Sequence, residues 1–486
     1  MLRSAVRKPA LRFAPGRALP EQPLKRGGIR VRALALATMF ALGAASAQAA
    51  DLLDVWRAAQ QNDLDYAAAA SARQAGETRR AQAGSLWLPN VQFSGTAGVA
   101  TNTTTTNGAQ FSAPGLGTSS GVDFNTSINN GTLGRWSLEA RQPVISRERL
   151  AQSRQLEMAA DLADLEWANA QQSLMLTTAQ RYFEVVLATE ALRVLKQHQE
   201  AVNRALTEAK DRHALGDIPV TGTFEATARA EAIRAQIIAA ETELQLKQVA
   251  LADVTGLKPD AMNLRFPAND AAPGEARALD RWLAEAADRN PLLKMQTKAT
   301  EVAVEEASKF SLAATPKVDV VAQAGQDRLS GNGDYGSALN NNRGWMVGVQ
   351  LSLPLYTGGY RSAKQEEALH LADKARTDAD RTRQKIALQT RAAWMGLTVG
   401  AGRIAALAEA LRANRSRLDS TRTGVEVGDR TTLDLLNAES DTAAAELALM
   451  QARIEVLMDR LRLAALSGQL DETQLRLVNA TLIANR

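Results

Sequence analysis

The chain has 486 residues, no cysteine and only 4% aromatic residues. Disulfides, thiolate metal sites and cysteine nucleophiles are therefore excluded, and the composition suits long helices better than a compact aromatic core. The formal net charge is +4 at pH 7, but residues 1–49 carry nine basic residues and one acidic residue, so the rest of the chain is net acidic. Nucleic acid is not expected as a partner.

The first 49 residues have the pattern of a secretory signal peptide. A long basic segment precedes the apolar run ALALATMFALGAA (33–45), which is too short to span a membrane. The small residues of AQA (47–49) predict cleavage after Ala49, and the competing interpretation is an uncleaved anchor helix. No later apolar stretch approaches the roughly 18 residues of a transmembrane helix. A membrane span of the mature chain could then only consist of β-strands.

The mature chain contains two structural repeats. Five landmarks recur in the same order, among them LGDIPVTGTFEA (215–226), which aligns with VGDRTTLDLLNA (427–438) at an offset of 212 residues. Ordered self-similarity of this kind predicts two copies of one supersecondary unit. The predicted organisation is a signal peptide (1–49), a first repeat (50–265), an inter-repeat linker (266–278), a second repeat (279–470) and a C-terminal tail (471–486).

Each repeat is predicted to contain a first helix, a strand hairpin, a long helix without proline and a returning helix. In the first repeat these elements span 51–86, 90–142, 146–215 and 218–255. In the second repeat they span 279–313, 316–354, 358–427 and 431–467. Stretches rich in small polar residues predict loops inside the two hairpins, at 101–131 and 327–343.

The strand segments alternate with period two. Val91, Phe93 and Val99 fall on one face of the first strand, and Gln92 and Ser94 fall on the other. In an exported protein this alternation is typical of a barrel strand with one face towards lipid. A half-buried hairpin of a soluble domain has the same pattern. The strands alone therefore leave both interpretations open.

The long helices carry coiled-coil seams, and at about 1.5 Å per residue each is on the order of 100 Å long. Within 359–427, apolar and small residues recur at 4-3-4-3 spacing, which predicts a supercoiled packing seam. The members of this seam are Ile386, Thr390, Ala393, Leu397, Gly400, Ile404, Leu407, Leu411, Asn414, Leu418, Thr421 and Val425. The returning helix 431–467 carries two such rows, so it is expected to have helical neighbours on two sides, as in the wall of a tube.

Four strands per chain leave two open sheet edges. Because an open edge cannot face lipid, other copies of the chain must complete a barrel. Two chains would give eight strands and a filled interior, and three would give twelve strands and room for water. The polar strand residues Glu139, Arg141 and Asp319 favour a wet interior, but these residues do not fix the number of copies.

The repeated plan and two segments, LPLYTGGYRSA (353–363) and VGDRTTLDLLNAES (427–440), resemble the TolC family of outer-membrane efflux and secretion channels. The resemblance implies an α+β membrane protein: a homotrimer whose chains each give four strands to a 12-stranded outer-membrane β-barrel, continued by a long periplasmic α-helical barrel. It implies outer-membrane lipid around the barrel. It also implies type I secretion or drug efflux, with a periplasmic adaptor (a membrane fusion protein) and an inner-membrane transporter as partners.

The same resemblance implies a gate at the periplasmic tip of the tube. Arg430 matches an arginine that helps to hold the tip closed, and Asp434 matches an acidic residue of the constriction, where three copies would favour cations. A second family acid is Asn437 here, and the family's aspartate partner of the arginine is Gly222. The partner of Arg430 would then be another acid, such as Asp217 or Glu225. The remaining predicted turn residues are Gly428 and Asp429 in the second repeat and Gly216 in the first.

A purely structural role for this turn is the alternative, because Asp and Thr are good helix N-cap residues. No catalytic group, cofactor site or metal cluster is predicted, since the three histidines are scattered and no nucleophile–base pattern is recognisable. The rival functional classes are a periplasmic coiled-coil adaptor or structural protein without a barrel, and, with no supporting motif, an enzyme built on helical repeats.

Overall fold

The computed structural model describes residues 51–115, 117–258, 264–267, 277–311, 316–334 and 336–483, all within one compact unit. The predicted signal peptide and most of the predicted linker lie outside these residues. In chain order the elements are α1 (Leu52–Asn62), α2 (Leu64–Ser85), β1 (Asn90–Ala113), β2 (Gly117–Ser146), α3 (Arg147–Ala214), α4 (Val220–Thr255), β3 (Phe266–Pro267), α5 (Leu279–Arg289), α6 (Pro291–Lys309), β4 (Lys317–Gly333), β5 (Gly336–Ser352), α7 (Tyr360–Glu426), α8 (Thr432–Leu466), α9 (Glu472–Asn479) and β6 (Leu482–Ile483).

The prediction of one continuous first helix in each repeat is wrong. The segment 51–86 is divided into α1 and α2, and the segment 279–313 is divided into α5 and α6. In each case a polar residue leaves the helical conformation and caps the next helix: the side chain of Asp63 accepts from the amide of Tyr66, and that of Asn290 accepts from Leu293. The start of a new helix leaves amides without partners, and these caps satisfy them. The first helix is therefore broken in the same way in both repeats.

An asparagine at each break also contacts the end of the returning helix of its own repeat. Asn62 Nδ2 donates to the carbonyl of Asp253 over 3.2 Å, and Asn290 Nδ2 donates to the carbonyl of Leu466 over 2.9 Å. The C-terminal carbonyls of a helix have no partner within the helix. Each asparagine therefore joins a broken first helix to the last turn of a returning helix, and the two repeats use the same bond.

The predicted loops at 101–131 and 327–343 are also wrong, because both stretches are strand. β1 and β2 remain paired up to Ala113↔Gly117, and β4 and β5 remain paired up to Gly333↔Gly336. Threonine has a high strand propensity, and the small polar residues bond across the strands, as Thr105 Oγ1 does to Asn125 Oδ1 over 3.3 Å. Polar composition therefore indicated the environment of these residues and not their backbone conformation.

The four long strands form one antiparallel sheet in the order β1-β2-β4-β5. The register places apolar residues in rows across one face, such as Phe93–Leu138–Ala324–Trp345. Neighbouring rows on the other face are polar and contain Glu139, Arg141 and Asp319, which are joined by ion pairs from Arg141 of 3.2 and 3.5 Å. Trp345 is 80% exposed, so the apolar face is not covered by the chain itself. The outer edges of β1 and β5 have no partner strand among the described residues.

The two long helices have 68 and 67 residues. Expected over 146–215, α3 begins at Arg147, where the Ser146 hydroxyl accepts from the amide of Arg149, and ends at Ala214. Expected over 358–427, α7 runs from Tyr360 to Glu426. No helix in the described ranges is long and apolar enough to cross a membrane.

Helix α8 packs against both α7 and α3, as its two apolar rows predicted. One of these rows advances in steps of seven residues: Leu435 is half-buried, and Thr442, Leu449, Val456 and Leu463 are buried. All seam residues predicted on α7 are buried or half-buried. Helix α4 packs along α3, and an apolar stripe on its other side remains exposed.

The largest buried cluster lies where α1, α9 and β6 pack on the middle of α3 and the end of α8. Its centre is Tyr182 and Phe183, whose rings meet edge to face with centroids 5.5 Å apart. The Tyr182 hydroxyl donates to the carbonyl of Arg265 over 3.1 Å. The other fully buried members include Leu52, Val55, Val186, Leu251, Leu461, Leu475 and Val478. This cluster holds the two repeats together at the level of their helix breaks.

Substitutions at two glycines of α7 test how closely α8 packs against it. A Cβ at Gly396 would overlap the buried Asp459 carboxylate of α8, whereas a Cβ at Gly402 has nothing within 4 Å. We expect Gly396→Ala to lower the free energy of unfolding by about 1–3 kcal/mol because of overpacking. Gly402→Ala is expected to raise it by about 1 kcal/mol, since alanine has the higher helix propensity. Thermal unfolding of the detergent-solubilised protein measures both, and equal shifts would contradict this packing.

Candidate functional site at the helical hairpin tips

The two hairpin tips, one between α3 and α4 and one between α7 and α8, close with the same backbone geometry. Gly216 and Gly428 adopt φ values of +84° and +83°, a left-handed conformation that glycine adopts without a Cβ clash. In each turn the next amide, that of Asp217 or Asp429, donates to the carbonyl five residues earlier, over 2.9 and 2.8 Å. The offset of 212 residues in the sequence therefore relates two equivalent turns.

The two turns differ in how the returning helix begins. Helix α8 starts with a capping box: the Thr431 hydroxyl accepts from the amide of Asp434 over 3.1 Å, and Asp434 Oδ2 accepts from the Thr431 amide over 3.0 Å. Helix α4 follows Pro219, which makes no side-chain cap. The Thr431 amide and hydroxyl hold the pKa of Asp434 below its usual value, with a smaller contribution from Arg430. This carboxylate is therefore ionised at neutral pH.

Arg430 lies beside its own hairpin. A Cβ at Gly424 would come within 2.6 Å of the Arg430 Cγ, so the arginine stem occupies the space above that glycine. Among the described residues of one chain, no carboxylate is within ion-pair distance of its guanidinium. Within one chain, the structure does not bring Asp217 or Glu225 to Arg430.

A small groove joins the two tips. Its volume is about 230 Å³, and Gly222 and Glu225 of the first hairpin line it opposite Thr431 and Leu436 of the second. Gly222, which by resemblance replaces an aspartate, has the Ile218 side chain near its Cα. The tips of both repeats are therefore neighbours within a single chain, as a gate formed by both would require.

Asn437 contacts the other hairpin. Its Oδ1 accepts a hydrogen bond of 2.6 Å from Nη2 of Arg229, which lies on α4. The sequence analysis did not single out Arg229. Arg229 is exposed, and its bond to Asn437 depends on how the two hairpins pack, so the sequence carried no local signal for it.

A second polar contact joins the hairpins farther from the tip. Arg193 of α3 donates to Glu190 of the same helix over 2.5 Å and to Glu446 of α8 over 2.7 Å. Glu190 is buried, and its carboxylate raises the pKa of Arg193. This pair was also missed, because each residue alone looks like part of a solvated helix face.

No group of three or more His, Cys, Asp or Glu side chains that could hold a metal ion occurs in the part of the chain that the structure describes. His213 lies at the first tip, with Nδ1 3.0 Å from the carbonyl oxygen of Ile218. His198 is half-buried on α3, and burial lowers its pKa. The groups that the tips present are therefore hydrogen-bonding side chains and fixed charges.

Comparison with known proteins matches a family model to both repeats of this chain. The model of the outer membrane efflux protein family covers residues 55–257 and 282–469, which is most of both repeats. The chain belongs to the outer membrane efflux protein family. This is a family of efflux proteins and not of enzymes. The chain is accordingly an outer-membrane efflux protein, and an adaptor without a barrel is not supported.

Curated relatives cover nearly the whole chain. The proteases secretion protein PrtF of Dickeya chrysanthemi is 26% identical over 91% of this chain and 94% of its own length. The alkaline protease secretion protein AprF of Pseudomonas aeruginosa is 26% identical over 92% of this chain and 88% of its own length. The outer membrane protein TolC of Vibrio cholerae serotype O1 is 27% identical over 67% of this chain and 74% of its own length.

Solved structures have the same fold. The outer membrane protein VceC of Vibrio cholerae superposes with a TM-score of 0.68 at 18% identity, over 86% of this chain and 97% of its own. The CmeC outer membrane channel of Campylobacter jejuni gives a TM-score of 0.70 at 15% identity, over 89% of this chain and 90% of its own. The resemblance expected from VGDRTTLDLLNAES is confirmed at the level of family and fold.

Proposed function

We propose that three copies of this chain form one exit channel in the outer membrane. The channel receives small molecules or secreted proteins from an inner-membrane transporter through a periplasmic adaptor and releases them outside the cell. The observation that carries the proposal is a four-stranded sheet with two open edges continued directly by two helices of 68 and 67 residues. Two relatives that match nearly the whole chain are named protease secretion proteins, which supports secreted proteins as one class of cargo.

We infer three copies because the barrel must close and its lumen must be wide enough for water. Three chains would give twelve strands, enough for an aqueous lumen behind the polar sheet face, whereas eight strands would leave an interior filled by side chains. The helices support lateral assembly in the same way. An exposed apolar stripe on α4 contains Ile238, Leu246 and Val249, and another on α7 contains Leu388, Met395 and Val399. Burying the two stripes against each other between copies would close the helical tube.

We further propose that the hairpin tips are the gate. Asp434 stays ionised and would contribute one of three carboxylates to a ring at the narrowest point. Arg430 would restrain the tip, and its acidic partner would come from a neighbouring copy because its own chain supplies none at ion-pair distance. Thr431 supports the ring indirectly, because its amide and hydroxyl fix the position of the Asp434 carboxylate.

The mature protein is expected to have the mass of a trimer in mild detergent, because the edges of β1 and β5 must be paired. Size-exclusion chromatography with multi-angle light scattering measures the mass of the protein component. A monodisperse monomer with intact secondary structure would contradict the assembly.

Both hairpin turns are expected to face the cell exterior, since they lie at the ends of the strands away from the long helices. The chain has no cysteine, so Thr118→Cys and Ser337→Cys near the turns would each give a single labelling site. Both should react with a membrane-impermeant maleimide on intact cells. Ala410→Cys, an exposed position in the second half of α7, towards the hairpin tip, should react only after permeabilisation. The opposite pattern would reverse the proposed orientation.

Asp434→Asn is expected to reduce cation selectivity and block by polyvalent cations in planar bilayers, because the carboxylate ring is lost in a lumen where screening is weak. Asparagine can still accept hydrogen bonds, so the cap is largely kept. Thr431→Ala removes the capping hydroxyl at a cost of about 1 kcal/mol but keeps the acid, so it should lower stability while cation selectivity is reduced less than in Asp434→Asn. If Asp434→Asn has the selectivity of the parent, the turn only caps a helix.

A further inference from the structure

We propose that Arg229 and Asn437 form a clamp that holds the two hairpin tips of one chain together and thereby sets how readily the channel opens. The inference rests on the proposed gate at the tips. It adds a residue, Arg229, that neither the sequence pattern nor the resemblance assigned to that gate.

The bond between the two residues connects elements that are far apart in the sequence. Arg229 Nη2 donates to Asn437 Oδ1 over 2.6 Å, across 208 residues of chain. Arg229 lies nine residues into the returning helix of the first hairpin, and Asn437 lies five residues into that of the second. The clamp is therefore within about 15 Å of both turns, at ~1.5 Å per residue.

Apolar packing next to the clamp holds the two hairpins in register. Leu436, the neighbour of Asn437, is 3% exposed and inserts into a cluster formed by Val202, Ala205, Ile233 and Ile237 of the first hairpin. Ala226, on the same face of α4 as Arg229, is also buried. Arg229 and Asn437 are themselves exposed, so their hydrogen bond lies at the surface beside this buried contact. A relative movement of the two hairpins would therefore have to break the hydrogen bond and expose the Leu436 contact together.

The charges around the clamp leave the guanidinium positive. Its acceptor is a neutral amide, and no ion pair of Arg229 with a carboxylate occurs among the described residues. His198 of α3 feels the charge of Arg229, and burial, with this smaller effect, holds its pKa below the usual value, so it stays neutral near pH 7. Glu439 of α8 is paired instead with Arg422 over 3.5 Å.

The position of the clamp also affects the proposed carboxylate ring. Asp434 and Asn437 are three residues apart and therefore lie on one face of α8. Each copy would place one guanidinium a single helical turn from each ring carboxylate. The clamp would thus offset part of the negative potential while it restrains the hairpins.

A second contact between the two hairpins, from Arg193 to Glu446, lies farther from the tip than the clamp. The contact of Arg193 with Glu446 also joins α3 to α8, and it lies nine residues, about 13 Å, beyond Asn437 along α8. Glu190 is buried beneath it, so this pair is costly to separate. A tip that opens would rotate about the Arg193 contact and break the exposed Arg229 bond first.

Single-channel recording in planar bilayers tests the clamp directly. Arg229→Ala and Asn437→Ala should each raise the open-to-closed ratio by about tenfold, the effect of one lost hydrogen bond to a charged group. The double variant should equal either single variant, because both remove the same bond. Asn437→Asp should lower the ratio, because a carboxylate accepts a stronger, charge-assisted bond from the guanidinium, and this effect should vanish in the Arg229→Ala background.

The matched control is Arg234→Ala. Arg234 lies on the same helix, is exposed and is paired only with Glu231 within that helix, over 3.7 Å, so its removal should leave gating unchanged. Trimer yield and the midpoint of thermal unfolding establish that every variant is folded. Additive effects of the two alanine substitutions, or gating of Arg229→Ala equal to that of Arg234→Ala, would overturn the clamp.

The outcome for Asp434→Asn separates this inference from the proposed gate. If Asp434→Asn changes selectivity while the clamp variants behave as the parent, the gate is at the tips and the clamp is wrong. If none of these variants differs from the parent, both proposals fail.

Discussion

The unpaired backbone along the outer edges of β1 and β5 is the constraint on which the rest of the molecule depends. Exposed strand edges in a membrane cannot be satisfied by water, so the sheet is complete only when copies of the chain stand side by side. In the same side-by-side arrangement, the exposed apolar stripes of α4 and α7 could be buried against each other. It would also bring three pairs of hairpin tips together around one axis, where the proposed gate would lie.

The helix breaks at Asp63 and Asn290 allow short helices to pack along the whole length of the two long helices. The returning helices α4 and α8 have 36 and 35 residues, so each covers only about half of its long partner. The short helices α2 and α6 pack along the other half of α3 and α7. Asn62 and Asn290 bond to the last carbonyls of the returning helices at these junctions. The largest core cluster lies at this level, so the chain is most tightly packed at mid-height and less so at the tips.

Much of this architecture could be predicted from sequence. Heptad spacing predicted the long helices and the two neighbours of α8, and self-similarity predicted the two equivalent turns, because both depend on local and repeated patterns. The strand conformation of 101–131 could not be predicted, because its threonines and asparagines are paired across the hairpin rather than buried. The bond from Arg229 to Asn437 was also missed, since it depends on how two hairpins pack. The helix breaks were missed because Asp63 and Asn290 interrupt patterns that stay amphipathic.

The unequal hairpins give the outer mouth an uneven outline. The strands β1 and β2 have 24 and 30 residues, and β4 and β5 have 17 each. Asn129 of β2 pairs with Asn332, one residue before the end of β4, so the twelve β2 residues 117–128 lie beyond the shorter hairpin and, at about 3.3 Å each, extend the first hairpin by roughly 40 Å along the strand. Its turn at Pro114 and Gly115 directly follows paired strands, since β1 and β2 are hydrogen-bonded up to Ala113↔Gly117. A peptide inserted at that turn would be displayed on a stiff stalk beyond the shorter hairpin, where antibodies or phage receptor-binding proteins would meet it before they reached the pore.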